Sequence, residues 1–194
     1  MLAFLVKRHG REIALAATLL ISGCAAISGG GGSGQGVMSS DEVENFNAAM
    51  SLINNDNYSD GIALLNDTFS DSRKSAVPFI NLAIAHRKQG ELDDAEKNLL
   101  IALDIEPENP VANNEYGLLL RRKGQFAEAR KTYEDLLKKY PDFALANKNL
   151  GVLCDIYLRD YPCALEAYQA YSALTPEDED VEMWITDLEW RTKQ

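Results

Sequence analysis

Residue types able to do chemistry are sparse in this chain. Among 194 residues there are three cysteines and two histidines. Cys24 ends a short apolar run, while Cys154 and Cys163 stand close together late in the chain. His9 lies among the first basic residues, which leaves His86 as the one imidazole beyond them. No histidine or cysteine pair has metal-site spacing, and no glycine-rich phosphate loop or nucleophile motif occurs. The acids Glu177, Asp178, Glu179 and Asp180 suit a helix start and need no calcium ion to explain them. Two kinds of chemistry remain: modification or pairing of cysteine, and recognition by charged side chains. The balance of 19 basic against 30 acidic residues, a net charge of -11, speaks against nucleic-acid binding, which needs a basic footprint for phosphates. It equally disfavours contact with anionic lipid.

The elements that position these residues recur at a fixed spacing. Ala83, Gly117 and Gly151 are 34 residues apart, as are Gly90 and Gly124, Ala95 and Ala129, and Pro107 and Pro141. Ala164 and Pro176 continue the series with one inserted residue. Within a unit, Phe79, Leu82, Ala83 and His86 fall on one helical face; Leu92, Ala95, Leu99, Ala102 and Leu103 form a second stripe. Gly90 suits the left-handed residue that ends the first helix, and Pro107 closes the second. His86 on such a stripe reads as a packed core residue.

A 34-residue helix-turn-helix unit with these marks in register resembles the tetratricopeptide repeat family. The resemblance covers residues 42–178 and implies an all-α, right-handed superhelical solenoid, with repeats at about 42–75, 76–109, 110–143 and 144–177. The first copy is degenerate, with Arg73 where the proline belongs. The fourth is expected to have a turn one residue longer, through Arg159, Asp160, Tyr161 and Pro162. The last segment reads as a capping helix over 178–191: Thr175 as N-cap, Pro176 at the first helical position, then a stripe of Val181, Trp184, Ile185 and Leu188. Trp190 lies off the stripe and is expected to be partly exposed. Arrays of this family present surface rather than catalyse, so no enzyme activity, cofactor or small-molecule substrate is expected.

At the front, Lys7, Arg8 and Arg11 precede an apolar run from Ile13 to Ile21, too short to span a bilayer and of signal-peptide length. Ile21-Ser22-Gly23-Cys24 resembles the lipobox of bacterial lipoproteins. That resemblance implies cleavage after residue 23 and acylation of Cys24. Alanine rather than aspartate at position 25 points to the outer membrane. Residues 24–40 form a glycine- and serine-rich linker; Ala25 to Ser40 would span roughly 20 to 25 Å as a flexible coil. Without Lys7, Arg8, Arg11 and Glu12, 16 basic and 29 acidic residues remain.

With Cys24 acylated in an oxidising compartment, Cys154 and Cys163 are left as a candidate disulfide pair. Packed helix axes lie about 8–10 Å apart, whereas a disulfide needs Cα atoms within about 7 Å. The bond is therefore open to them only near the turn.

The family resemblance further implies that first helices line a concave groove holding protein or peptide segments. By register that groove carries Ile80, Asn81, Ile84, Arg87 and Lys88; then Asn114, Glu115, Leu118, Arg121 and Arg122; then Lys148, Asn149, Val152 and Asp155. Its asparagines could bond a peptide backbone and its basic residues attract an acidic ligand. Basic residues before a turn also complement the carbonyl end of a helix without any partner. Ile84, Leu118 and Val152 are apolar where family members that clamp a C-terminal carboxylate place asparagine, which favours an amphipathic protein segment. The expected function is a periplasm-facing outer-membrane scaffold, similar to the small repeat lipoproteins of pilus and secretin assembly. The alternative is an adaptor recruiting envelope proteases or peptidoglycan-modifying enzymes.

Overall fold

Helix starts and stops follow local chemistry from the first described residues onward. The structure, a computed structural model, describes residues 38–193; Cys24, the signal segment and the linker as far as residue 37 lie outside them. Ser39 begins the fold with a capping box. Its hydroxyl accepts from the Glu42 amide at 3.2 Å while its own amide donates to Glu42 Oε2 at 2.6 Å, closing two of the otherwise unpaired helix-start donors. The first helix thus begins at Ser40, inside the stretch expected as linker.

Nine α-helices follow among the described residues: α1 Ser40–Asn54, α2 Tyr58–Phe69, α3 Val77–Gln89, α4 Leu92–Ile105, α5 Pro110–Arg122, α6 Phe126–Lys139, α7 Ala144–Val152, α8 Tyr161–Leu174 and α9 Asp180–Thr192. Consecutive helices pack as pairs, α1 on α2 through α7 on α8, and each pair packs on the next, with α9 against α8. In addition α3 touches α5 and α5 touches α7, so the first helices share one side of the stack.

Small residues let the helices of a pair approach. A methyl group on Gly117 would stand 2.6 Å from the Tyr133 ring, and Gly151 lies equally close under Tyr168. In the α3–α4 pair Ala83 and Leu99 hold those two places within one buried cluster, a larger residue on one side matched by a smaller one on the other. The last helix covers the open end: Val181, Ile185 and Leu188 are buried with the α6–α8 core, while Trp190 is 62% exposed.

Every pair turns the same way. The carbonyls of Leu52, His86 and Leu120 each accept from the amide five residues on, of Asn57, Glu91 and Gln125, at 2.9 Å. The intervening Asp56, Gly90 and Gly124 are left-handed, with φ of 60, 85 and 78°. In the fourth pair the Cys154 carbonyl accepts from Asp160, six residues on, at 2.9 Å, and Arg159 takes the left-handed place with φ 54°. The inserted residue is absorbed by a π-helical segment, Leu153–Leu158. This corrects the expectation of a longer turn: wider i→i+5 winding takes up one residue inside the helix, and the turn keeps its length.

A second correction concerns the entry to α9. Thr175 is not its N-cap but ends α8, where its amide and hydroxyl both donate to the Tyr171 carbonyl, at 3.0 and 2.8 Å. Asp178 is drawn aside by Lys148 and the Tyr171 hydroxyl, and the helix restarts at Asp180. Among the described residues no helix is long and apolar enough to cross a membrane.

Candidate protein-binding groove

The first-helix side is built from α3, α5 and α7 with its π-helical extension. Ile84, Leu118 and Val152, one per helix in the same register, are half-buried and offer apolar floor. Ile80 and Asn114 belong to the expected groove but are only 4% and 2% exposed; they are packed into the stack and present no surface. Asn149 donates to Asn114 Oδ1 at 2.9 Å and Asn81 to the Val77 carbonyl at 2.9 Å, so each spends a donor within the fold.

The basic residues divide sharply. Arg87 is fixed by Glu115 across the α3–α5 junction, its Nε and Nη2 donating to Oε2 at 3.2 and 2.9 Å. Lys148 donates to Asp178 at 2.8 Å and to the Tyr171 hydroxyl at 3.2 Å, and its ammonium sits over the Tyr171 and Trp184 rings. The hydrogen bond to Asp178 raises the Lys148 pKa, and Lys148 in turn lowers that of Asp178. Arg87 and Lys148, two of the five cations named for the groove, are thereby structural, tying one repeat to the next. At the far end Asp155 accepts from Arg191 of α9 at 3.0 Å.

Four cations have no ion-pair partner among the described residues: Lys88, Arg121, Arg122 and Arg159. Every other described lysine and arginine has one. The four occupy the last turns of α3 and α5 and the cap of the π-helical segment, so they edge the same side of the stack. Arg122 reaches the Arg87 carbonyl at 3.4 Å, and Lys88 and Arg121 lie over the rings of Tyr58 and Tyr157. An open depression of about 460 Å³ lies at this edge, with Arg121, Arg122, Phe126 and Tyr157 among its walls. The Phe126 and Tyr157 rings are tilted by 39° with centroids 5.0 Å apart, and Ile156, next to Tyr157 in the chain, is exposed.

Two polar atoms under this edge are buried without a hydrogen-bond partner among the described residues: Arg121 Nη1 and Tyr133 Oη. Burial pushes the Tyr133 phenol pKa up, against the Arg121 charge that favours its phenolate. Tyr168, its counterpart in the next repeat, is pushed up to about 12 by burial.

His86 is not simply packed. Its Nδ1 lies 2.6 Å from Glu91 Oε2, with Asp94 close by; Asp94 also holds Lys97 at 2.8 Å. The two spare cysteines are brought together: Cys154 in the π-helical segment and Cys163 early in α8 have Cα atoms 5.9 Å apart and sulfurs at 2.08 Å. Asp160 caps α8 through the Cys163 amide, which together with Arg130 lowers its pKa.

Sequence reading missed the repeat-linking asparagines. Asn113 and Asn147, themselves 34 apart, donate to the carbonyls of Pro107 and Pro141 at 3.0 and 3.1 Å. Their shared register was the available signal. The residues fixing Lys148 had none, because Tyr171 of α8 and Asp178 ahead of α9 meet it only in the packed stack.

No curated protein matches this chain in sequence. Among solved structures, MamA from Desulfovibrio magneticus RS-1 superposes with a TM-score of 0.68 at 18% identity, covering 81% of this chain and 88% of that one. PilF from Pseudomonas aeruginosa does so with a TM-score of 0.71 at 18% identity, covering 78% and 69%. YrrB, described as a TPR protein with an unusual peptide-binding site, reaches 0.62 at 18% identity over 75% and 74%. At these identities the likeness is one of fold. A family model described as tetratricopeptide repeat matches residues 80–142 and again 117–179, together just over half of the chain. The chain belongs to the tetratricopeptide repeat family.

Proposed function

We propose that this protein is a scaffold that holds a segment of another protein along its first-helix side. The observation that carries this reading is the apolar row Ile84, Leu118 and Val152 on successive first helices, edged by cations left without internal partners. YrrB, with the same fold, is described by its peptide-binding site, and a comparable use of the groove fits here. Cys24 at the end of a signal-like run would carry the lipid, and the glycine-rich linker would hold the repeats off an outer membrane on its periplasmic side. Assembly of a pilus or secretin is the process this architecture suits best by analogy. Recruitment of envelope proteases or peptidoglycan-modifying enzymes is the second reading, distinguished by normal pili and altered wall cross-linking when the gene is deleted.

One experiment tests scaffold and anchor together. A photo-crosslinking amino acid in place of Leu118 should trap one dominant protein in cells, and the same residue in place of Leu100, an exposed position on the second-helix side, should not. In the Cys24→Ala chain the adduct should leave the outer-membrane fraction. Equal trapping from both positions would refute the groove, and unchanged fractionation would refute the anchor.

A further inference from the structure

An ion-pair rung joins α3 to α5, and its counterpart between α5 and α7 is missing. Arg87 at the end of α3 pairs with Glu115 in the middle of α5. One repeat on, Arg121 stands where Arg87 stood, and the residue in the Glu115 register is Asn149. Asn149 has no charge and spends its amide on Asn114. One repeat further, Asp155 in the Arg87 register pairs with Arg191 of the capping helix. Arg121 thus lacks the carboxylate that Arg87 has, and its Nη1 is buried without a hydrogen-bond partner among the described residues, as is Arg191 Nε. Arg121 is partly exposed, with one nitrogen buried and the rest of its guanidinium at the open depression, where a charge-assisted bond to a carboxylate is stronger than in open water. The chain has a large excess of carboxylates, yet none is placed to pair with Arg121.

We propose that the missing rung is supplied from outside: a glutamate or aspartate side chain of a bound protein segment pairs with Arg121, in the place that Glu115 takes for Arg87. The inference rests on the scaffold reading and names what that groove selects. Charge complementarity argues for this occupant, because Arg122, Lys88 and Arg159, the other described cations without ion partners, edge the same side. A guanidinium binds a planar carboxylate with two parallel donors, which gives geometric selectivity as well as attraction. Beside it the paired rings of Phe126 and Tyr157 in the same depression offer an apolar shelf. The recognised segment is therefore an acid flanked by an apolar residue, within a chain and not at its C-terminus.

Selection of a random dodecapeptide library, displayed on phage with every C-terminus fused to the coat protein, against the full-length chain tests this. Enriched peptides should carry Glu or Asp at one fixed position beside an apolar residue. They should bind at least tenfold more weakly to Asn149→Glu, in which the chain supplies its own rung, and to Arg121→Gln. The Asn149→Glu variant adds a partner for Arg121 but gives up the amide that donates to Asn114; Asn149→Gln, which keeps an amide and adds no charge, should bind the peptides as the native chain does, so the pair of variants carries the test even where Arg121→Gln fails to fold. Enriched peptides with no fixed acid, or equal binding to Asn149→Glu, would overturn the inference and leave the scaffold reading standing. Absence of any enriched peptide would overturn both.

Discussion

At the residue scale, the fold depends on places where one side chain is missing so that another can lie flat. Gly117 admits the Tyr133 ring, and alanine there would press a methyl group against it. Gly117→Ala should lower stability by about 1–3 kcal/mol through overpacking, read as a shift in urea midpoint. Tyr133→Leu, which copies the pairing of Ala83 with Leu99, should relieve that strain, so the double variant should cost less than the two single changes added together. Simple additivity would show that the contact is not the source. The 34-residue spacing marked Gly117, but only the packing shows which ring lies on it and that the Tyr133 hydroxyl is buried without a partner among the described residues.

Among the elements, the fourth pair departs from its siblings. Its extra residue is wound into the π-helical segment, which keeps the Arg159–Asp160 turn as short as the glycine turns and carries Cys154 to within bonding distance of Cys163. We expect the purified, unreduced protein to show neither cysteine as a free thiol. Cys154→Ala together with Cys163→Ala should lose roughly 2–3 kcal/mol, the chain-entropy value for so short a loop, and adding reductant to the native chain should reproduce the shift. Two free thiols in the native protein would exclude the bond. The spacing placed both cysteines beside a turn but could not decide where the insertion would be absorbed, because an extra residue can lengthen either a loop or a helix. The same limit explains the start of α9: Thr175-Pro176 has the composition of a helix start, yet Lys148 and Tyr171 claim Asp178 from another element.

Over the whole molecule, ion pairs within helices and between repeats, together with backbone caps, set the response to acid. The Ser39 amide and then Lys74 hold the Glu42 carboxyl at about 2 instead of 4.5, and Lys131 and Lys138 hold Asp135 at about 2 instead of 3.8. Asp94, Asp160 and Asp178 are lowered as well, by Lys97, the Cys163 amide and Lys148 respectively. Each folded-state value lies below the unfolded one, so the unfolded chain binds more protons as pH falls between them. Stability should be level above about pH 5 and decline steadily from the unfolded carboxylate values toward pH 2, as read by thermal melting across that range. A melting temperature unchanged from pH 5 to 3 would show that these contacts are not held in solution.

The sequence by itself determined the repeat, its helical class and the register of its small residues, because those follow from local periodicity and from glycine and proline geometry. It also marked Cys24 and the basic groove positions as candidates. Tertiary structure alone decided which cations remain available. Arg87 and Arg121 are identical in sequence register, and one is neutralised by Glu115 while the other is not. That difference is made by the side chain facing each from the next repeat, a contact between residues distant in the chain that no local pattern encodes.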